Sequence, residues 1–123
     1  MSRTLPSYFD GITGKVSPDA ALSGLTWLGV GGRADWLFEP EDDADLQRFL
    51  AQYNTNSPLH IIGAGSNMLV RDGGIDGVVI RLTGQFAEIQ HQAGFIHAGA
   101  GASDGEVARF AAKQGRAGLS FMI

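Results

Sequence analysis

Leu59-His60-Ile61-Ile62-Gly63-Ala64-Gly65-Ser66-Asn67-Met68-Leu69-Val70 is a short apolar run that dies in a glycine turn. Four residues bounded by Pro58 and Gly63, with two isoleucines among them, favour a strand over a helix. The turn that follows is built of small residues that leave successive backbone N–H groups uncovered. Consecutive free amides of this kind form a concave site for an anion such as a diphosphate, and the Ser66 hydroxyl and Asn67 carboxamide add side-chain donors. No helical pattern follows, so a helix dipole contributes nothing. Residue chemistry leaves two alternatives standing, a phosphate-binding loop and a plain tight turn.

Upstream, Ala34-Asp35-Trp36-Leu37-Phe38-Glu39 has strand character and stops at Pro40. Glu41-Asp42-Asp43 places acids in a first helical turn, where they suit the helix dipole. Leu46, Phe49, Leu50 and Tyr53 then fall at i, i+3, i+4 and i+7 as one apolar stripe, and Asn54 with Asn56-Ser57-Pro58 ends that helix. Strand, helix and strand over 34–62 predict a parallel crossover unit of the required length. Residues 1–25 show too little periodicity for a defined element and are expected to form an arm with one short helix.

Downstream, Asp72-Gly73-Gly74-Ile75-Asp76-Gly77 is a double turn signal before the strand Val78-Val79-Ile80-Arg81-Leu82. Residues 86–90 and 95–98 are expected to pair as a hairpin about His91-Gln92-Ala93-Gly94. Ser103-Asp104-Gly105-Glu106 spells a capping box, with Val107, Phe110 and Ala111 as the buried stripe behind it and Gly115 as a left-handed stop. Gly118-Leu119-Ser120-Phe121-Met122-Ile123 then ends on an apolar run, which suggests a chain that is cut rather than finished.

The 123 residues contain 18 glycines, no cysteine, nine Lys+Arg and thirteen Asp+Glu, with a formal net charge of −4 and 44% apolar residues. The apolar content describes a globular chain, and the glycines lack a G-X-Y period, which excludes collagen. Arginines are scattered singly, as at Arg33, Arg48, Arg71, Arg81, Arg109 and Arg116, so no basic face offers itself to nucleic acid. No signal core and no run near the ~20 apolar residues of a membrane span is present, and the chain is expected to be cytoplasmic. Absence of cysteine eliminates disulfides, thiolate metal sites and cysteine nucleophiles together.

Two other glycine clusters compete for a phosphate role and lose on context. Gly29-Val30-Gly31-Gly32-Arg33-Ala34 has the dinucleotide spelling but precedes a strand instead of following one. Gly99-Ala100-Gly101 lies between a strand and a helix, but Asp104 occupies the position of the last small residue, so a strand-to-helix turn is expected there. His60, His91 and His97 have no zinc spacing and suit packing or surface roles. Asp72 and Asp76 do not spell a calcium loop. Trp27 and Trp36 suit the core.

The run from Ile62 to Gly74, followed by Gly77-Val78-Val79-Ile80-Arg81-Leu82, resembles the diphosphate loop of the FAD-binding fold of vanillyl-alcohol-oxidase-type flavoproteins. With Thr26-Trp27, Val30-Gly31-Gly32-Arg33-Ala34, Glu39-Pro40, Gly99-Ala100-Gly101 and Gly118-Leu119, the chain resembles more narrowly the bacterial UDP-N-acetylmuramate dehydrogenase family, also called UDP-N-acetylenolpyruvoylglucosamine reductases. Gly29 and Ser120 depart from that pattern, a larger and often basic residue and an acid being usual there. Met122-Ile123 likewise does not lead into the family's second FAD loop.

The resemblance implies an α+β chain with this FAD-binding fold, comprising a first lobe and an incomplete second lobe. Residues 1–25 would be the arm, 26–72 the first lobe ending in the diphosphate loop, and 73–123 the start of the second lobe, with the substrate-binding domain absent. It further implies FAD held on Gly63, Ala64, Gly65, Ser66, Asn67 and Met68, with NADPH as hydride donor. The substrate of the parent enzyme would be UDP-N-acetylglucosamine enolpyruvate, reduced to UDP-N-acetylmuramate in peptidoglycan precursor synthesis. None of the family's catalytic residues falls within this chain, so the chain alone should show no turnover; no metal site is expected, and the incomplete second lobe should self-associate through an exposed sheet edge. A fragment of another FAD-linked oxidase of the same fold, or a non-enzymatic glycine-rich binding module, would use the same loop differently.

Overall fold

The computed structural model describes residues 4–25, 32–63 and 74–115. Strands β1 (Lys15–Ala21), β2 (Arg33–Glu39), β3 (Leu59–Ile62) and β4 (Ile75–Arg81) form one sheet in the order β1-β2-β4-β3. β1 runs antiparallel to β2, while β4 is parallel to β2 on one side and to β3 on the other. The crossover expected over 34–62 is therefore present, through helix α1 (Asp43–Gln52), but its two strands are not neighbours. β4 is inserted between them, and the sheet extends past residue 72 without a break. Parallel strands must be joined by a crossover, and a crossover does not fix whether a later strand enters the gap it leaves.

Residues 4–25, expected as an arm, supply a one-turn 3₁₀ helix at Ser7–Phe9 and the whole of β1. Pro18 disguises that strand in the sequence, because a proline removes one ladder donor; at the sheet edge the loss is tolerated. The segment is anchored by burial at both ends, Phe9 and Leu22 being almost fully enclosed.

The two central strands are buried on both faces, as a parallel sheet requires. On one face Trp36 and Phe38 of β2 and Val78 and Ile80 of β4 meet Phe49 of α1 and Phe9 of the N-terminal turn. On the other, Leu37, Val79 and Ile62 pack with Leu22 and Ala34. A register shift between Ala34 and Trp36 is accommodated at Gly77, whose N–H donates to Asp35 Oδ2 at 2.9 Å. The apolar stripe of α1 holds at Leu46, Phe49 and Tyr53 but fails at Leu50, which is 47% exposed; Asp45 takes the buried place on that face.

β5 (Ile89–Gln92) and β6 (Phe95–Ala98) form a separate two-stranded antiparallel sheet. The hairpin is tighter than its sequence suggests. Phe86 belongs to a 3₁₀ turn at Gly84–Ala87, and the reversal is made by Ala93 and Gly94 alone, with φ of +52° and +82°. Positive φ at both central residues is the two-residue turn whose twist matches flanking strands. Helix α2 (Asp104–Lys113) starts at the expected cap, where Ser103 Oγ accepts from the Glu106 N–H at 3.2 Å, and buries Ala108 and Ala111 with Val107 and Phe110 half-buried beside them. Gly115 follows it at φ +71°. Among the described residues no helix is long and apolar enough to cross a membrane.

Candidate functional site

In open sheets with parallel strands, ligands collect beyond the carboxyl ends of the strands. Here that end is formed by Glu39 of β2, Arg81 of β4 and Ile62-Gly63 of β3. β3 runs out where the Ile62 carbonyl accepts the Leu82 N–H at 3.0 Å, and Gly63 is the next residue. Arg81, opposite Ile62 in the register, donates through Nη1 to Glu39 Oε1 at 3.2 Å and so ties the ends of two strands together. Both side chains are partly solvated, so this pair orients rather than stabilises, an exposed ion pair being worth at most about 1 kcal/mol.

Gly63 is the member of the candidate loop whose surroundings are described. A Cβ built on it would lie 2.5 Å from the Ala100 carbonyl oxygen and 3.4 Å from Gly101 Cα. No larger residue fits there without displacing backbone, which is the mark of a glycine kept for close approach rather than for turning. Ala64, Gly65, Ser66, Asn67 and Met68 lie outside the described residues, as do Trp27, Gly31 and Asp72.

The turn that meets Gly63 is Gly99-Ala100-Gly101, which does join a strand to a helix as its context implies. It is held from behind by the Gly99 N–H donating to Glu88 O and the Gly101 N–H donating to Phe86 O, each at 2.8 Å, and by the Ala102 N–H donating to Gly99 O at 3.0 Å. A Cβ on Gly101 would overlap the Leu82 carbonyl oxygen, and one on Gly99 that of Phe86. The sequence carries no sign of this junction. Its two halves are 37 positions apart, and each taken alone is an ordinary glycine turn.

The histidines lie where a surface role puts them. His60 and His97 are exposed on β3 and β6, and His91 Nδ1 is 3.2 Å from Gln114 Oε1. Trp36 is buried in the core as expected. Among the described residues no cluster of three or more His, Asp or Glu side chains is placed to hold a metal.

The model of a family described as FAD binding domain matches residues 34–121, which takes in β2, Gly63 and the turn beneath it. UDP-N-acetylenolpyruvoylglucosamine reductase of Maricaulis maris (strain MCS10) is 50% identical over 121 residues, covering 98% of this chain and 38% of the relative. The enzyme of the same name from Paracoccus denitrificans (strain Pd 1222) is 50% identical over 115 residues, covering 94% of this chain and 36% of the relative. The crystal structure of UDP-N-acetylenolpyruvylglucosamine reductase from Thermus caldophilus superposes with a TM-score of 0.64 at 33% identity, over 88% of this chain and 36% of that one. The chain thus spans well under half the length of the relatives it matches. Its mixed sheet with flanking helices is the α+β FAD-binding fold, and the chain belongs to the FAD binding domain family.

Proposed function

We propose that this chain is the FAD-binding portion of an NADPH-dependent reductase acting on UDP-N-acetylglucosamine enolpyruvate in cytoplasmic peptidoglycan precursor synthesis. The observation that carries the reading is the half-identity to such reductases over nearly the whole chain, coupled to a glycine at the carboxyl end of β3 with no room for a side chain. Gly63, at the carboxyl end of β3, is where the proposed diphosphate cradle would begin, its missing Cβ making room for the Ala100 carbonyl beside it. Ala64, Gly65, Ser66, Asn67 and Met68 would continue that cradle, the small residues offering backbone amides and Ser66 and Asn67 a hydroxyl and a carboxamide, the donor set a diphosphate needs. Bound FAD would supply the redox centre between NADPH and the enolpyruvyl double bond. Reduction of that bond also requires a proton donor and a cation near the acceptor carboxylate, and this reading assigns both to the part of the parent enzyme that the chain does not span.

Purified chain mixed with FAD and desalted is expected to retain flavin, visible as a yellow absorbance band. The same sample given NADPH and the enolpyruvyl substrate is expected to show no turnover. Loss of all flavin on desalting would overturn the binding assignment, and steady NADPH oxidation tied to substrate would overturn the assignment of catalysis to other parts of the parent.

Self-association belongs to the same proposal. β5 and β6 form a sheet of only two strands among the described residues, and Phe95 and Ile61 are 68% and 60% exposed. A sheet edge presents unpaired N–H and C=O groups that can template pairing with another chain, and exposed apolar side chains beside it favour that contact. Light scattering at micromolar concentration should report a mass above that of the monomer, falling when Phe95→Lys is introduced; a monomeric profile for the unsubstituted chain would count against it.

A further inference from the structure

Between Gly63 and helix α2 lies a backbone-on-backbone junction that the assignment of a diphosphate loop does not by itself require. The Ala100 carbonyl abuts Gly63, Gly101 abuts the Leu82 carbonyl, Gly99 abuts the Phe86 carbonyl, and the Leu82 N–H closes the circuit onto Ile62. No side chain takes part in these contacts. They involve the last residues of β3, the residue after β4 and the 3₁₀ turn Gly84–Ala87, so Gly63, the residue after β3, is seated against the turn over 99–101.

We infer that Gly99-Ala100-Gly101 is the positioning element of the loop that begins at Gly63: it acts on the ligand through that loop's backbone and not by touching the ligand itself. The inference rests on the flavin-binding reading for the identity of the ligand, but not for the junction. A binding loop fixed before its ligand arrives avoids the ordering cost of fixing it on binding, and that saving appears as affinity. The interlocking also explains why glycine stands at 99 and 101, where neither residue opens a dinucleotide fold.

Gly101→Ala is the test, with Ala112→Ser, at an exposed position of α2 outside the turn, as the control. Flavin titration of the folded chain should give a dissociation constant raised about tenfold in Gly101→Ala and unchanged in Ala112→Ser. In the absence of flavin, amide hydrogen exchange at Gly63 should quicken in Gly101→Ala while amides of β2 and the centre of β4 keep their rates. A general loss of stability would move those strands as well, so the local change separates positioning from damage. Unaltered exchange at Gly63 together with unaltered flavin affinity would overturn the inference. Should the unsubstituted chain bind no flavin, the ligand assignment fails while the exchange measurement still decides the junction. If Gly101→Ala does not fold, Ala100→Gly, which loosens the turn without adding an atom, should quicken exchange at Gly63; wild-type exchange there would overturn the inference.

Discussion

Replacing Phe49 with alanine is expected to remove about 4 kcal/mol of folding stability, within the range for emptying a fully buried aromatic site. Phe49 is completely enclosed, with ring centroids 4.9 Å from Phe38, 5.1 Å from Tyr53, 5.4 Å from Phe9 and 5.8 Å from Tyr8. Those rings come from the N-terminal turn, the central strand β2 and α1 itself, so no single element can collapse into the space left behind. Pairwise ring contacts add about 1 kcal/mol each beyond buried area, and several would be lost at once. Set against the ~5–15 kcal/mol that holds a typical domain together, the loss brings the chain close to unfolding at ambient temperature. Urea denaturation followed through Trp fluorescence measures it. Phe49→Leu, which keeps most of the volume, should lose less than half as much, and a loss under about 1 kcal/mol for alanine would show that the cluster repacks.

Phe49 was legible in the sequence because a helix repeats its buried face every three or four residues, and the spacing from Leu46 to Phe49 to Tyr53 is local. The same holds for the Ser103 cap of α2, for the turn about Ala93-Gly94, and for β3 ending at Gly63. What could not be read is what the fold brings together from a distance. β4 inserts between β2 and β3, and nothing in the composition of these three parallel strands ranks them from edge to centre. β1 was hidden by Pro18 and by an exposed outer face that leaves no alternation to detect. Gly63 stands out in the sequence for what it offers a ligand, whereas its contact with Ala100 is a second reason for glycine, visible only in three dimensions. Asp45 is the sharpest case. As one more acid near a helix start it attracts no notice, although Asp42-x-x-Asp45 has the spacing of a capping pair.

Asp45 is 1% exposed, and its carboxylate accepts from the N–H groups of Thr13 at 2.9 Å, Gly14 at 2.8 Å and Glu41 at 3.0 Å, while its own N–H donates to Asp42 Oδ1 at 2.8 Å. One side chain thereby joins the approach to β1, the exit from β2 and the first turn of α1. Burial pushes the Asp45 carboxyl pKa upward, but the bonds from Glu41, Thr13 and Gly14 together outweigh it and hold the group below the ordinary carboxylate range. Asp45→Ala should therefore cost about 3 kcal/mol, the buried donors losing a charged acceptor that water cannot reach to replace. The sign of the pH dependence follows from the lowered folded value. The stabilisation is complete above the unfolded carboxylate pKa of ~3.9 and is lost as the pH falls through the folded value. Asp45→Asn keeps the shape without the titrating charge, so its urea midpoint should be lower than that of the unsubstituted chain near pH 6. The gap should narrow as acid is added, because the unsubstituted chain alone gives up the Asp45 contribution. A gap that stays constant from pH 6 to about pH 3 would mean that the carboxylate is held by shape and not by its charge, and the account of the junction given by these bonds would fail.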